Sequence, residues 1–472
     1  MPIHSLPILA CCAILLLVYY AVPRREQNLL LLGSSYGFCL LFSWPVALLL
    51  LAMSLANFAL GIRVGGQRGV RGWLRLGILF NLLTWLGFKF AHLFVLRPGG
   101  AGSHLGAALW EGGAASLIPI GLSFYVLQAI SYLVDVRRGQ TPPCRDFPSF
   151  ALYLAYFPKF TAGPIERPRT FLAQLMQARR PDWGRLGRGA ALVLSGLLRK
   201  IVIGDTLLQA VPAVFFHRPQ KFGGLELLLW LTVFVFGLYN DFCGYTDIAR
   251  GLSALFGIEL SPNFKGPFFA HNFFELWNRW HITLSHWLRD YVYYPIGRAL
   301  ARRFPRPGHA ANILLPPMLT MLASGLWHGA AAGFLLWGIV MGAFLVGERL
   351  LALHRPRRPA RGTPSWRSAF KSVAVFILWS AALVLVLVDL AAVPVFFRRV
   401  FARLGTTLPD TRVFLLIPLS LWLDARQERR SGEPFFVSGP LLARALCLAA
   451  ALLAIFLFAQ SRPVIPFVYQ DF

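Results

Sequence analysis

The chain has 472 residues, of which 57% are hydrophobic, and its mean hydropathy is +0.59. Soluble globular domains do not carry that balance. The 46 basic and 20 acidic side chains give a net charge of +26, placed mostly in loops between apolar runs, with no fold or basic–aromatic pattern suited to nucleic acid, so a lipid bilayer is the expected partner and nucleic acid is not.

The first apolar run covers residues 6–22. Met1 to Pro7 carries no lysine or arginine, whereas Arg24 and Arg25 follow the run. That order predicts a retained first span with its N-terminus outside, not a cleaved signal. Further candidate spans cover 36–60, 74–96, 116–136, 189–216, 225–240, 242–258, 312–328, 333–352, 372–396, 411–424 and 440–460. The run 411–424 has too few apolar positions to cross alone. Acid-free basic loops carry Arg63, Arg68, Arg71 and Arg75, then Arg298, Arg302, Arg303 and Arg306, then Arg355 to Lys371. They read as cytoplasmic. Residues 97–113 are glycine-rich and suit an external loop, and 354–371 reads as a basic cytoplasmic linker. The sum is an all-α, polytopic integral membrane protein of about eleven or twelve membrane segments, with one domain over residues 1–472.

The cysteines Cys11, Cys12, Cys39, Cys144, Cys243 and Cys447 are scattered and form no CxxC pair. Neither a zinc site nor a disulfide framework is indicated, and no metal is expected. No GxxxxGK[ST], GxSxG or HExxH motif occurs. His286 to Asp290 is HxxxD, one residue short of the soluble glycerolipid acyltransferase pattern.

Chemistry concentrates in three places. In 240–250, Asp241 and Asp247 lie in an apolar setting. Asp247 and Arg250 are spaced for a helical ion pair, and structural neutralisation competes with the lining of a polar tunnel by Asp241 and Tyr245. Phe157 to Glu166, by contrast, reads as a plain Pro/Gly turn. The segment 261–310 is too polar to span. Trp280, Leu284, Trp287 and Tyr291 fall on one helical face, with Trp277 and His281 on a neighbouring one and Asn278 three residues before His281. This predicts an amphipathic helix at the interface or packed under the spans.

The third place is Ser324-Gly325-Leu326-Trp327-His328-Gly329. His328 sits inside an almost uncharged stretch, where a histidine is costly without partners and is a functional candidate by default. A desolvated imidazole favours its neutral form, which is what a general base needs. The alternative is a hydrogen-bonded packing histidine. Only Gly329 to Ala332 separate 312–328 from 333–352, so the pair is a tight hairpin or its first part is re-entrant. Pro316, Pro317 and Gly325 argue against one straight helix.

These segments resemble the membrane-bound O-acyltransferase family, and within it the bacterial alginate O-acetyltransferase-like branch. The match runs through Phe157-Pro158 with Gly163-Pro164-Ile165, through Asp241-Phe242-x-Gly244-Tyr245-x-Asp247, and most strongly through Trp277-x-x-Trp280-His281 to Tyr291 and Gly325-Leu326-Trp327-His328-Gly329. The closing Pro466-Phe467-Val468-Tyr469-x-x-Phe472 is similar as well. Cys243 stands where the family commonly has serine, and His286 where it commonly has a small or apolar residue.

The resemblance implies tilted helices, some re-entrant, around a thin floor and a central tunnel. His328 would be the catalytic histidine and His281 its partner. Asn278, Trp277, Trp280, Trp327, Asp241, Tyr245 and Ser324 would line or shape the tunnel. The donor would be a cytoplasmic thioester, acetyl-CoA, with no permanently bound cofactor. The acceptor would be an exopolysaccharide hydroxyl such as that of alginate or cellulose, reached through a periplasmic acetyltransferase partner from the bacterial inner membrane. Two rivals remain: D-alanyl transfer from a carrier protein to teichoic acid, and a polytopic transporter.

Overall fold

A computed structural model describes residues 3–66, 69–95, 119–306, 308–353, 366–402, 411–429, 434 and 440–460. The glycine-rich 97–113, most of the 354–371 linker and the closing 466–472 lie outside the described residues. Among those described, the regular structure is helical throughout, with no strand.

The main helices are α1 (Leu6–Tyr19), α2 (Arg24–Leu40), α3 (Trp44–Val64), α4 (Val70–Val95), α5 (Leu122–Arg137), α6 (Phe147–Ala155), α7 (Trp183–Leu197), α8 (Gly224–Leu255), α9 (Phe273–Trp277), α10 (Ile282–Leu288), α11 (Tyr294–Arg303), α12 (Ala310–His328), α13 (Ala332–Leu353), α14 (Trp366–Leu387), α15 (Val393–Ala402), α16 (Leu416–Arg429) and α17 (Leu441–Gln460). Six helices among the described residues, α3, α8, α12, α13, α14 and α17, are long and apolar enough to cross a membrane. The protein is an all-α, multi-pass membrane protein. The other expected segments fall on helices that are shorter, broken or more polar.

Several boundaries differ from expectation: 189–216 falls on a helix, a π-helical stretch and a further short helix, and 372–396 crosses the end of α14 at Leu387 and the start of α15 at Val393. Residues 36–60 are not one span: α2 ends at Leu40, and α3 starts at Trp44 with Pro45 in its first turn. Proline suits that place because its missing N–H would have no intrahelical partner. The predicted break at residue 241 is also absent, since α8 runs unbroken for 32 residues. The carboxylates there do not end the helix because they are neutralised inside the protein. Asp241 takes Lys200 Nζ at 2.6 Å, and Asp247 takes Arg250 Nη1 at 3.1 Å, the expected helical pair.

α8 is the central element. In its most apolar window 83% of residues are buried inside the protein, against 6% for α17, which presents its sides outward. α7 packs along α8 at small residues. A methyl group on Gly251 would stand 2.6 Å from the Gly189 carbonyl, and one on Gly244 2.7 Å from that of Gly196. Such close backbone approach replaces the hydrophobic drive that helices lack in lipid.

Beside α8, Arg199 is fully buried and donates to Asp424 of α16 at 2.7 Å, and the Tyr239 hydroxyl donates to the same carboxylate at 2.8 Å. Phe157 to Glu166 is more than a plain turn. Lys159 is fully buried there and donates to Gln128 and, at 2.6 Å, to the Tyr153 carbonyl, while Glu166 accepts from Ser261 N–H at 2.6 Å.

Candidate active site

The segment before α12 does not form the continuous helix that its periodicity predicts. Asn272 caps α9 by accepting from Glu275 N–H at 2.7 Å, but α9 lasts only five residues. The chain then turns at 278–281 and restarts as α10. His281 occupies the turn with φ 42° and ψ 53°, in the left-handed region. Non-glycine residues rarely adopt it.

Surrounding bonds hold the turn. Ile282 N–H donates to the Asn263 carbonyl at 2.9 Å, and Thr283 Oγ1 donates to Asn263 Oδ1 at 2.6 Å. Lys265 N–H donates to the Arg279 carbonyl at 3.0 Å. Asn278 and His281 therefore flank a break and do not share a helical face, and one amide N–H of Asn278 goes to the Phe274 carbonyl at 2.8 Å. Beyond α10, residues Arg289–Tyr293 form a π-helical turn, a wide turn often found at functional sites.

α12 starts at a cap in which His309 Nδ1 accepts from Ala311 N–H at 3.2 Å. It continues through both Pro316 and Pro317. Thr320 Oγ1 donates to the Pro316 carbonyl at 2.6 Å. The helix ends on His328 because Gly329 takes an extended backbone, φ −170° and ψ 161°. α13 starts three residues later and folds back along α12. The two helices form a tight hairpin. Close approach requires glycine here: a methyl on Gly338 would stand 2.6 Å from the Met321 carbonyl, and one on Gly325 would collide with that of Phe334.

These two constructions bring the histidines together around one indole. The Trp327 ring lies edge-on to both, with centroids 5.8 Å from His281 and 4.8 Å from His328. Phe242 at 4.9 Å and Phe124 at 6.4 Å complete the wall around His281. Trp337 at 5.5 Å and Phe334 at 6.5 Å do so for His328. His281 is 1% exposed and lies outside the six long apolar helices. Burial pushes its pKa down, to about 3, so the ring is neutral.

His281 and His328 are both among the residues that line a cavity of about 760 Å³ between α8, α9, α10, α12, α13 and α14, with the His281 ring nitrogens buried at its wall. Of the residues singled out in the sequence, Trp277, Asn278, Trp280, His281, Ser324 and His328 line it. Trp327 is the spacer behind the two histidines and is not part of the lining. Asp241 and Tyr245 do not line it either: Asp241 pairs with Lys200, and the Tyr245 hydroxyl bonds that of Thr161.

The cavity extends along α13 from Trp337, beside His328, to Glu348 and Arg349, roughly 18 Å at the helical rise. At that far end Arg349 donates to the Tyr293 hydroxyl at 3.0 Å, and Glu348 accepts from the Phe273 and Phe274 N–H groups at 2.6 and 3.1 Å. Sequence reasoning missed Glu348, Arg349 and Thr320 as lining residues. The one available signal was a charged pair, Glu348-Arg349, at the end of an apolar run.

A chamber of this shape suits a long ligand whose charged end stays at 348–349. Its reactive end would meet two imidazoles held in an aromatic, water-poor wall. The inventory is that of proton transfer and oxyanion stabilisation.

Residues 139–389 match the MBOAT family, the membrane-bound O-acyltransferases. The chain is 35% identical to the probable alginate O-acetylase AlgI of Pseudomonas syringae pv. tomato over 342 residues, which cover 70% of this chain and 62% of that one. It is 35% identical to the protein of the same name from Azotobacter vinelandii over 365 residues, 74% of this chain and 69% of that one. The teichoic acid D-alanyltransferase of Streptococcus thermophilus is 30% identical over 237 residues, 48% of this chain and 56% of that one. The match thus spans less than two thirds of the Pseudomonas syringae protein's length.

Proposed function

Because the chain belongs to the membrane-bound O-acyltransferase family, we propose that it moves an acetyl group from a cytoplasmic thioester, acetyl-CoA, towards a hydroxyl of an exported polysaccharide. The observation that carries this reading is the pair His281 and His328, set about one indole and both among the residues lining one elongated cavity.

In this reaction His328 takes the proton of the acceptor hydroxyl as its oxygen attacks the thioester carbonyl carbon. The oxygen of the resulting tetrahedral adduct carries the negative charge, and a neutral His281 can donate an N–H to it. The C–S bond then breaks, and His328 returns the proton to the departing sulfur. The products are an ester and a free thiol. Thioesters are already activated, so positioning plus one base, worth typically 10²–10⁴-fold in rate, supplies much of what the reaction needs. The far end of the cavity, with Arg289 and Arg349 among its walls, suits the charged remainder of the donor.

The acetyl reading is favoured over D-alanyl transfer by the greater identity and reach of the alginate O-acetylase relatives, 35% over 70% of the chain against 30% over 48%. An inner-membrane setting and a periplasmic acetyltransferase that completes transfer to the polysaccharide, alginate or cellulose, belong to the same proposal. The test offers the purified protein in nanodiscs two labelled donors separately, acetyl-CoA and a D-alanyl carrier protein. Thiol release from acetyl-CoA alone is expected. Turnover of the D-alanyl carrier alone would replace the acetyl reading, and solute flux without thioester consumption would replace the enzyme by a transporter.

A further inference from the structure

Lys89 lies in the last two turns of α4, between Phe88 and Phe90, and is 3% exposed. Its Nζ donates to the backbone carbonyl of His328 at 3.1 Å, a contact between residues 239 positions apart. That carbonyl belongs to the last residue of α12, where helical carbonyls have no intrahelical donor. The C-terminal end of a helix also carries partial negative charge and favours a cation.

A second link runs parallel to the first. Trp85, one turn earlier on α4, donates from Nε1 to Ser123 Oγ at 3.1 Å. The Ser123 carbonyl in turn accepts from Trp327 Nε1 at 3.3 Å. α4 and the start of α5 thus grip two consecutive residues, Trp327 and His328. None of Lys89, Trp85 and Ser123 lines the cavity.

We propose that Lys89 is a positioning residue for His328. By holding the carbonyl that ends α12, it fixes where the helix stops and so where the imidazole stands between Trp327 and Trp337. The positive charge of the lysine at the C-terminal end of α12, directly behind the histidine, holds that end more firmly than a neutral donor would. The inference rests on the reading of His328 as the base.

The experiment compares Lys89→Met and Lys89→Arg with wild type for thioester consumption, and follows hydrogen exchange of the peptide covering 325–334 in all three. A misplacement of about 1 Å at a reacting group costs on the order of 100-fold in rate. Lys89→Met should lose kcat on that order with the donor KM little changed, and should exchange faster over 325–334. Lys89→Arg, which keeps a cationic donor, should recover most of both. Wild-type kcat in a folded Lys89→Met variant would overturn the proposal, as would a loss confined to KM. If Lys89→Met does not fold, an Lys89→Arg variant that folds but stays as slow as a histidine knockout would overturn it. If wild type itself consumes no thioester, the acyltransfer reading fails, and the exchange data still decide whether Lys89 holds the end of α12.

Discussion

His281 carries a conformation that its side chain does not favour. Among the described residues it is the one non-glycine with positive φ. Holding such a conformation costs of order 1–3 kcal/mol, and the bonds to Asn263 on the neighbouring segment offset it. Strain of this kind is retained where a side chain must point to one place. Stability and activity should therefore separate at this position. His281→Gly should be at least as heat-stable as His281→Ala, because glycine relieves the backbone, while both should lose acyl transfer. Thermal unfolding in detergent with a parallel thioester assay checks this. A glycine variant less stable than alanine would show that the turn is not strained.

The two histidine motifs were legible as sequence, because an imidazole in an apolar run and one in an aromatic–polar run are both conspicuous. The turn that aims His281 was not legible. Trp277, Trp280, Leu284, Trp287 and Tyr291 all fit one helical period, and the break is imposed by long-range bonds to 263 and 265 that leave no local mark. Lys89 had a signal that went unread: a cation within 74–96 must find a partner, and its partner is the end of another helix.

At the scale of elements, the site depends on one hairpin. α12 and α13 touch at backbone level through Gly325 and Gly338, which keeps His328 against Trp337 and Phe334. Gly338→Leu should force the two helices apart, at a cost of about 1–3 kcal/mol from overpacking, and should slow thioester turnover along with it. A lowered thermal midpoint and reduced kcat are the expected pair. An unchanged midpoint would mean that the helices do not meet there. The hairpin itself was one of two geometries that the sequence allowed, since four residues between apolar runs fit either a turn or a re-entrant loop. Spans were legible where hydropathy alone sets them, as in α13, expected over 333–352 and found over Ala332–Leu353. They were misjudged where buried ion pairs carry the chain through, as at Asp241, because a charge in an apolar run looks the same whether it ends a helix or is neutralised by another.

At the scale of the whole molecule, charge and lipid divide the structure. Buried charges gather around α8: Lys200 with Asp241 and Asp205, and Arg199 with Asp424. α17 turns its apolar sides outward. The cavity lies between these regimes, walled by α8 on one side and by the α12–α13 hairpin on another, with its charged end at Arg349 and its aromatic end at the histidines. With that layout, a thioester of the proposed reaction would enter lengthwise and react beside His328. The most direct measurement is release of free thiol from acetyl-CoA by purified protein in nanodiscs, wild type against His328→Ala, with folding of both verified. Release by wild type and a loss of at least about 100-fold in the variant, on the order a general base contributes, are the expected outcome. Equal release by both proteins would contradict it.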